Sequence, residues 1–495
     1  MTVTEAASEA AALLDRPRWE GKIFVDAWTA GEAGTRSVVS PGSGQTLTTI
    51  GVSSVNDVRR AAKSASRAQL DWARRTPEDR AAVLRRAGEL WQQHAQEVQW
   101  WLVREAGSVA PKAWLETSAA AAECFEASAL PTHPCGDVLP SNGDRWSFAR
   151  RRPAGVIGVI APFNFPLTLS VRSVAPALAL GNAVLLKPDP RTAVCGGVAV
   201  LRIFEEAGLP PGLLQLVNGG GDIGEAIVTA PEVRVISFTG STAAGRKVGE
   251  AGARHLKRTH LELGGNSALI VLPGADPARA ASAGAFGSFL HQGQICMATG
   301  RHLVHESLYD DYVAAIAEKA TRMTVGDPAT ETVALGPLID HTQLAHVASV
   351  VDDTVAAGAA LAAGGTHNGL FFAPTVLTEL TTDMRAWQEE VFGPVAPVMS
   401  FSAPEEALDL ARSSEYGLSL GILGEVGAAM RLADDIPSGI VHINEQTVAD
   451  EAHIPFGGIG NSGTGARFGG AAANIDAFTE TQWLTARPDI ACYPF

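Results

Sequence analysis

The sequence lacks any long uninterrupted apolar run. Hydrophobic residues make up 46% of its 495 positions, yet it contains no stretch of about 18 consecutive apolar residues, the length that a helix needs to cross a bilayer. The opening residues, MTVTEA, contain no positively charged segment followed by an apolar core, so we expect no export signal. These absences predict a globular cytoplasmic protein without a membrane partner.

Cysteine is scarce and shows neither metal-binding nor disulfide spacing. The five cysteines include no Cys-x-x-Cys pair, and the twelve histidines form no His-Glu-x-x-His motif. Zinc sites and disulfide frameworks depend on such spacing. We therefore expect a reducing compartment and no structural metal.

Positive charge is also in deficit. Lysine and arginine total 38 against 53 aspartate and glutamate residues, which gives a formal net charge of −15. Nucleic acids and anionic membranes attract basic surfaces. The composition therefore argues against a nucleic-acid partner and indicates a solvated acidic surface.

The chain does contain short apolar runs that alternate with helical segments. The apolar runs occupy residues 156–160, 183–187, 213–217 and 233–238, and helical patterns cover residues 192–207 and 243–253. Buried strands separated by helices are typical of parallel sheets that are covered on both faces. A second stretch of this kind begins near Gly265, includes a strand at 268–271 and runs to about residue 465. The pattern predicts an α/β fold.

Three further segments carry clear local signals. Thr76 and Pro77 predict a helix start, with Thr76 as N-cap and Pro77 at the first position. Asn142-Gly143 separates two extended segments, and this dipeptide favours a β-hairpin. Residues 481–487 are another strand candidate.

Cys296 and Glu262 are the residues with the strongest catalytic potential. Each lies beside glycines, which allow the backbone and a ligand to approach closely. Covalent chemistry at a carbonyl needs a thiolate that attacks and a base that activates the water releasing the product. A lone cysteine is more often a small buried hydrophobic residue, so the assignment depends on the rest of the chain.

Asn164 is the third candidate for the same site. It follows the apolar run at 156–160, and α/β proteins place ligand-facing groups at the ends of their strands. Its amide could donate a hydrogen bond to an oxyanion, as could the backbone N–H of Cys296. The alternative interpretation is an ordinary turn residue before Pro166.

Together these segments resemble the NAD(P)-dependent aldehyde dehydrogenase superfamily over nearly the whole chain. Seven motifs occur in the order that the superfamily has them. They are PFNFP at 162–166, KP at 187–188, FTGS at 238–241, ELGG at 262–265, GQIC at 293–296, EVFGP at 390–394 and PFGG at 455–458. The loops at 294–301 and 444–456 look most like those of the benzaldehyde and vanillin dehydrogenases.

The resemblance implies a set of contacts to the cofactor. A strand runs directly into a helix at 238–245, and a helix N-terminus with close glycines favours a pyrophosphate, although a plain helix start is the alternative. The residues implied for the pyrophosphate are Gly240, Ser241 and Gly245. Those implied for the adenine ribose are Lys187, Asp189 and Pro190, and those implied for the nicotinamide and its ribose are Glu390 and Phe392.

The chain departs from the superfamily pattern at Pro190, at Arg467 and in the loop at 444–456. Pro190 stands where many NAD-specific members have a glutamate that repels a 2′-phosphate, so we expect NAD as cofactor with NADP also used. Arg467 stands where many members have a glutamate that relays protons, so Glu262 is expected to work without that helper.

The resemblance also implies the reaction and the substrate. We expect oxidation of an aromatic aldehyde to its acid through a thioester on Cys296. The expected substrate pocket is apolar and consists of Phe165, Leu169, Ile295, Met297 and Phe456. The alternatives are an aliphatic or semialdehyde dehydrogenase, for which Arg172 or Arg301 would supply a cationic pocket group, and a non-catalytic relative that kept only the fold.

The expected organisation has three parts. Residues 1–134 and 154–264 are predicted to form a Rossmann-like dinucleotide-binding domain, and residues 265–465 a second α/β domain that is catalytic. The resemblance implies that residues 135–153 and 470–495 form a small β arm through which the chain self-associates as a dimer or tetramer.

Overall fold

The computed structural model describes residues 12–495. The opening residues MTVTEA, on which the expectation about an export signal rests, lie outside the described residues. Among residues 12–495, no helix combines the length and the apolar character that a membrane crossing requires.

The first sheet has seven strands, and its central strands run parallel. Their order is Arg258–Glu262, Val233–Thr239, Val156–Ile160, Ala183–Lys187, Leu214–Leu216, Lys22–Val25 and Ala27–Ala30. The two strands from the beginning of the chain join one edge in antiparallel fashion. Strands Val156–Ile160 and Ala183–Lys187 are buried at every position, as expected for a parallel sheet with helices on both faces.

The helices of this first half surround that sheet. They are Arg16–Trp19, Val55–Trp72, Pro77–Gln93, Ala95–Glu105, Ala110–Ala129, Pro166–Ala179, Ala199–Glu206, Gly221–Thr229 and Thr242–Arg254. Thr76 caps its helix as predicted, since its hydroxyl accepts a hydrogen bond from the N–H of Asp79 at 3.2 Å. The segment predicted as a helix at 192–207 begins with a π-helical turn, Val194–Val198.

The second sheet also has seven strands and is parallel except at one edge. Their order is Ala360–Ala363, Thr375–Thr378, Val395–Phe401, Thr299–His305, Ser267–Val271, Ser419–Leu423 and Ile440–Ile443. Its helices are Pro277–Phe289, Tyr309–Arg322, His341–Ala356, Arg385–Gln388, Pro404–Arg412 and Val426–Asp435. Separate hydrophobic clusters lie on its two faces. The predicted α/β fold class is therefore confirmed.

A small third sheet stands apart from the other two. It is antiparallel and contains Thr479–Ala486, Trp146–Pro153 and Gly136–Val138 in that order. The hairpin expected at Asn142-Gly143 forms, but its connection is longer than a two-residue turn because the strands end at Val138 and resume at Trp146. Helix Ala471–Phe478 precedes the last strand, and its Phe478 packs into the first hydrophobic core.

Candidate active site

A cavity of about 890 Å³ opens at the carboxyl ends of the parallel strands in the first sheet. Its wall includes Ile160, Lys187 and Thr239, each of which ends a strand, and also Cys296 from the second half of the chain. Open α/β sheets bind ligands at this edge, and ligand sites commonly measure about 300–1,000 Å³. The cavity is therefore the main candidate for a ligand site.

Cys296 follows a turn with left-handed backbone geometry. Gln292 and Gly293 have φ angles of 56° and 67°. A Cβ atom on Gly293 would collide with the carbonyl of Gly393, so only glycine fits at this position. The Gln292 amide donates a hydrogen bond to the carbonyl of Pro337 at 2.8 Å, which anchors the turn.

Cys296 is half-buried as a residue, and the pKa of its thiol is strongly shifted by its surroundings. Burial raises its pKa to about 12, and the negative charges of Glu390 and Glu262 act in the same direction while Arg172 opposes them. The thiol is therefore protonated at neutral pH, and nucleophilic attack requires a group that takes its proton.

Asn164 lies in the loop that follows strand Val156–Ile160 and precedes helix Pro166–Ala179, and it lines the cavity together with Cys296. Its side chain is 3% exposed, and its Nδ2 donates a hydrogen bond to the carbonyl of Gln294 at 2.8 Å. Because an amide NH₂ group has two hydrogens, one N–H remains for another acceptor. The hydrogen bond ties Asn164 to the residue two positions before Cys296.

Glu262 ends the edge strand Arg258–Glu262, which is separated from strand Val156–Ile160 by strand Val233–Thr239, and it is buried. Its Oε2 accepts a hydrogen bond from the N–H of Gly458 at 3.3 Å, whereas its buried Oε1 has no partner among the described residues. Burial raises its pKa to about 8, against the opposing charges of Arg172 and Arg467. A carboxyl group with that pKa can exchange a proton near neutral pH.

Arg467 acts on Glu262 through the backbone. Its Nη1 donates a hydrogen bond to the carbonyl of Gly458 at 3.2 Å, and the N–H of the same Gly458 faces Glu262. The residue that replaces the expected relay glutamate therefore holds the loop that contacts Glu262.

An apolar cluster surrounds Cys296. Ile295, Met297, Leu418 and Phe456 form its buried part, and Phe165, Leu290, Cys296, Ala298, Ile440 and Val448 pack against them. The structure brings Phe165, Ile295, Met297 and Phe456 together in this cluster, although none of the four lines the cavity described above. Leu169, the remaining predicted pocket residue, lines the adjoining cavity.

The strand-to-helix junction at 239–245 contributes backbone to the cavity. Gly240 and Ser241 line it, and the Ser241 hydroxyl also caps helix Thr242–Arg254 by accepting a hydrogen bond from Ala244 N–H at 3.3 Å. Gly245 is not part of the cavity wall. A Cβ atom at Gly245 would collide with the side chain of Leu263, so this glycine allows the helix to pack closely on the chain beneath it.

Lys187 and Asp189 also line the cavity, but Asp189 is already engaged. Both of its carboxylate oxygens bind the guanidinium of Arg191, at 2.9 and 2.8 Å. Burial acts to raise the pKa of Asp189, but the hydrogen bonds and charge of Arg191 outweigh it and hold that pKa below its usual range. Arg191 also binds Asp340 at 2.7 Å and so joins the two halves of the chain.

Glu390 and Phe392 reach the cavity from the second half of the chain. Glu390 Oε1 accepts a hydrogen bond from Gly265 N–H at 3.0 Å, and burial raises the pKa of Glu390 to about 7. Phe392 adopts a left-handed φ of 50° and packs edge-on against Phe163, with ring centroids 5.8 Å apart.

The two arginines considered for a semialdehyde substrate have different surroundings. Arg301 donates its hydrogen bonds to backbone carbonyls of Asn266, Leu410 and Ala411 and serves the structure of the second half. Arg172 lies 4.5 Å from the ring centroid of Phe456 and therefore borders the apolar cluster.

Sequence reasoning missed Lys112, Glu116 and Arg191. Lys112 and Glu116 form a completely buried ion pair beneath the Asn164 turn. Their spacing of four residues on a helix is a visible signal, but the same spacing is common on exposed helices. Among residues 12–495, no three His, Cys, Asp or Glu side chains are grouped as a metal ion would require.

The fold and the site define a class of protein: an α/β enzyme with a thiol in the wall of a cofactor-sized cleft and a buried carboxyl group whose charge acts on that thiol. The aldehyde dehydrogenase family model matches residues 28–484, and the chain belongs to this family. Vanillin dehydrogenase of Amycolatopsis sp. is 60% identical over 97% of this chain and 99% of its own length.

Two further comparisons agree with that family. Benzaldehyde dehydrogenase (NAD(+)) of Pseudomonas putida is 45% identical over 97% of this chain and 99% of its own length. The crystal structure of a salicylaldehyde dehydrogenase from Pseudomonas putida G7, complexed with salicylaldehyde, superposes with a TM-score of 0.92 at 36% identity. It covers 96% of this chain and 99% of that one.

Proposed function

We propose that this aldehyde dehydrogenase oxidises aromatic aldehydes to carboxylic acids with NAD as cofactor. The observation that carries the proposal is the apolar cluster around Cys296, which includes Phe165 and Phe456. A planar ring gains from burial against such side chains, with about 0.5–1.5 kcal/mol for each aromatic pair beyond the area buried. The relatives described above are named for vanillin, benzaldehyde and salicylaldehyde.

The residues around the cavity fit a nicotinamide dinucleotide. The N-terminus of helix Thr242–Arg254 and the backbone of Gly240 suit a pyrophosphate. The Lys187 ammonium group has three N–H donors and donates one hydrogen bond to the Pro188 carbonyl, so donors remain for ribose hydroxyls. Glu390 and Phe392 would hold the nicotinamide end beside Cys296. When bound, the cofactor supplies the hydride acceptor.

Cys296 is the proposed nucleophile, and its sulfur attacks the aldehyde carbon. The free N–H of Asn164 and the backbone N–H of Cys296 donate to the oxygen that becomes negative. One such donor typically contributes about 2.7–4 kcal/mol to the transition state. The hydrogen bond between Asn164 and Gln294 supports this role because it fixes the amide beside the turn that carries Cys296.

Glu262 is the proposed base. It takes a proton from the water that releases the acid from the thioester. Its partnerless Oε1 and its pKa of about 8 support this role, because the carboxyl group can both accept and return a proton near neutral pH.

A semialdehyde is disfavoured as substrate because Arg172 is already neutralised. Its guanidinium contacts the carboxylates of Glu123 and Asp450. A substrate carboxylate placed there would meet two negative groups for one positive group.

The test compares kcat/KM for benzaldehyde, hexanal and succinate semialdehyde with NAD. Benzaldehyde should have the highest value, and a clear preference for either of the others would overturn the aromatic assignment.

We also propose that the third sheet is a self-association arm and that the chain divides as predicted, at residues 134, 153, 264 and 465. The arm exposes Val138, Trp146 and Trp483, which are 67%, 65% and 66% exposed. By strand register, Val138 and Trp146 lie on one face of the sheet and Trp483 lies on the other. Large exposed apolar groups favour a protein interface. Sedimentation should show a dimer or tetramer that Trp146→Glu and Trp483→Glu weaken.

Because Cys296 must remain a free thiol, we place the enzyme in the reducing cytoplasm.

A further inference from the structure

Arg191 lines the cavity and binds a carboxylate in each half of the chain. Its Nε and Nη2 donate to Asp189 at 2.9 and 2.8 Å, and its Nη1 donates to Asp340 at 2.7 Å. Asp189 follows strand Ala183–Lys187 of the first sheet, whereas Asp340 directly precedes helix His341–Ala356 of the second half. Because the guanidinium is a rigid planar fork, these hydrogen bonds fix the two carboxylates relative to each other.

Asp340 connects Arg191 to the helix that follows it. Its Oδ2 binds Arg191, while its Oδ1 accepts the N–H of Gln343 at 2.8 Å and caps helix His341–Ala356. One carboxylate therefore ends the ion pair and begins the helix. The first turn of the helix is held in place relative to Arg191.

That helix in turn holds the loop that contains Glu390 and Phe392. The Gln343 amide donates a hydrogen bond to the carbonyl of Phe392 at 2.9 Å, and Nε2 of His346 lies 3.3 Å from the carbonyl of Glu390. Phe392 has a left-handed φ of 50°, which a residue other than glycine keeps only where its surroundings impose it. The position of the loop thus depends on the helix that Asp340 caps.

Phe163 provides a second connection between Arg191 and Phe392. The central guanidinium carbon of Arg191 lies 4.2 Å from the ring centroid of Phe163. The Phe163 ring packs edge-on against Phe392, with centroids 5.8 Å apart. Cation–π and edge-on aromatic contacts both depend on geometry. Arg191 therefore acts on Phe392 through two separate sets of contacts, one through the helix and one through an aromatic ring.

We propose that Arg191 is a positioning residue for hydride transfer, because its bridge to Asp340 sets the place of Glu390 and Phe392 beside Cys296. The inference rests on the proposed function, in which these two residues hold the nicotinamide end of the cofactor. In that step the carbon bonded to the Cys296 sulfur gives a hydride to the nicotinamide ring, and its oxygen becomes a carbonyl again, which leaves a thioester.

The bridge should matter more for this step than for cofactor affinity. Lys187 and Ser241, which are proposed to bind the ribose and the pyrophosphate, lie in the first half of the chain and do not contact Asp340. A misplacement of about 1 Å between reacting groups can lower a rate by about 100-fold. Losing the bridge should therefore lower kcat while the cofactor still binds.

Asp340→Asn removes the bridge with little other disturbance. The asparagine oxygen can still accept the Gln343 N–H and cap the helix, and the pair between Asp189 and Arg191 remains. With benzaldehyde and NAD we expect kcat to fall by about tenfold, while the calorimetric Kd for NAD changes by less than about threefold. The isotope effect on kcat for benzaldehyde deuterated at the aldehyde carbon should increase, because hydride transfer becomes slower than the other steps.

Hydrogen–deuterium exchange of the cofactor-free protein provides a measurement that does not depend on activity. Peptides covering residues 388–394 should exchange about tenfold faster in Asp340→Asn and in Arg191→Met than in the wild type. Peptides from strand Val233–Thr239 should keep their wild-type rates. Arg191→Lys should recover part of the kcat lost in Arg191→Met, because an ammonium group can bind one of the carboxylates.

Arg60→Met is the matched control. Arg60 also binds two carboxylates, those of Asp57 and Glu32, but all three residues lie in the first half of the chain and outside the cavity wall. This variant should keep kcat within about twofold of the wild type and leave exchange at 388–394 unchanged.

A kcat within about twofold of the wild type in Asp340→Asn, or unchanged exchange at 388–394, would overturn the inference while leaving the proposed function intact. A loss of NAD affinity as large as the loss of kcat would also overturn it, because Arg191 would then serve binding. If Arg191→Met fails to fold, Asp340→Asn decides the question, since the Asp340 side chain is 33% exposed. Failure of the proposed function has another signature, which is hexanal or succinate semialdehyde exceeding benzaldehyde with the wild-type enzyme.

Discussion

Lys112 and Glu116 form an ion pair directly beneath the turn that carries Asn164, and both side chains are fully buried. Lys112 Nζ donates to the carbonyl of Asn164 at 2.7 Å, and Glu116 Oε2 accepts the N–H of Leu167 at 3.0 Å. The pair therefore holds the backbone on both sides of Phe165 and Pro166. Its position connects the helix Ala110–Ala129, far away in sequence, to the site around Cys296.

We expect Lys112→Met to destabilise the protein by about 3–5 kcal/mol, because it leaves the Glu116 charge buried without its partner. The double variant Lys112→Met/Glu116→Leu should recover much of the stability but not kcat, because the carbonyl of Asn164 loses its donor. Urea unfolding and steady-state kinetics measure the two effects separately. The exposed pair Arg86–Glu89 provides the control, since Arg86→Met should cost less than about 1 kcal/mol. Full kcat in the double variant would refute the positioning role.

We expect Cys296→Ala to abolish aldehyde oxidation while cofactor binding stays nearly unchanged. The substitution removes the proposed sulfur nucleophile but leaves Lys187, Ser241 and Glu390 in the cavity wall. Activity is followed by NADH absorbance, and cofactor binding by calorimetry. Cys195→Ala is the control, because that thiol is buried among core residues of the first half. Turnover within tenfold of the wild type would remove Cys296 from the mechanism.

We expect Glu262→Gln to produce one fast turnover of NADH and then stall as the thioester, provided that another base or water takes the thiol proton. Rapid-mixing absorbance measurements detect this burst. Loss of the burst would show that Glu262 is needed for the first half of the reaction, where it would deprotonate Cys296.

The pH dependence of turnover should follow the protonation state of Glu262. The pKa of Glu262 is raised to about 8, so the carboxyl group is protonated below that pH and cannot accept another proton. We therefore expect kcat to fall as the pH decreases through about 8, provided that Glu262 remains in that state with both ligands bound. A profile that stays flat between pH 6 and 9 would contradict this role.

We expect NAD to be the better cofactor and NADP to be used measurably. Arg191 engages both carboxylate oxygens of Asp189, and Pro190 brings no carboxylate, so little negative charge is left to repel a 2′-phosphate. Pro190→Glu adds a carboxylate that would repel the 2′-phosphate. It should reduce kcat/KM for NADP by about tenfold or more, which corresponds to the loss of one hydrogen bond to a charged group, and it should change kcat/KM for NAD far less. An NADP rate indistinguishable from zero in the wild-type enzyme would contradict the prediction.

Local sequence patterns determined the fold class and the main elements. Continuous apolar runs such as 156–160 and 183–187 form strands with those bounds, because buried parallel strands need apolar side chains on both faces. The helix start at Thr76 was equally clear, since capping depends on neighbouring residues. The family resemblance added the positions of Cys296, Glu262 and Asn164, and each is found at a turn or at the end of a strand.

Only the tertiary structure shows which charged groups that are distant along the chain become partners of each other. A sequence pattern shows that Asp189 lies near the cofactor motif, but not that Arg191 occupies both of its oxygens while bridging to Asp340. Likewise Arg172 could be a surface residue, a domain-interface residue or a pocket cation until folding places it against Asp450. The physical reason is that capping and strand burial depend on nearest neighbours, whereas the state of a buried charge depends on every group that folding brings within a few ångströms of it.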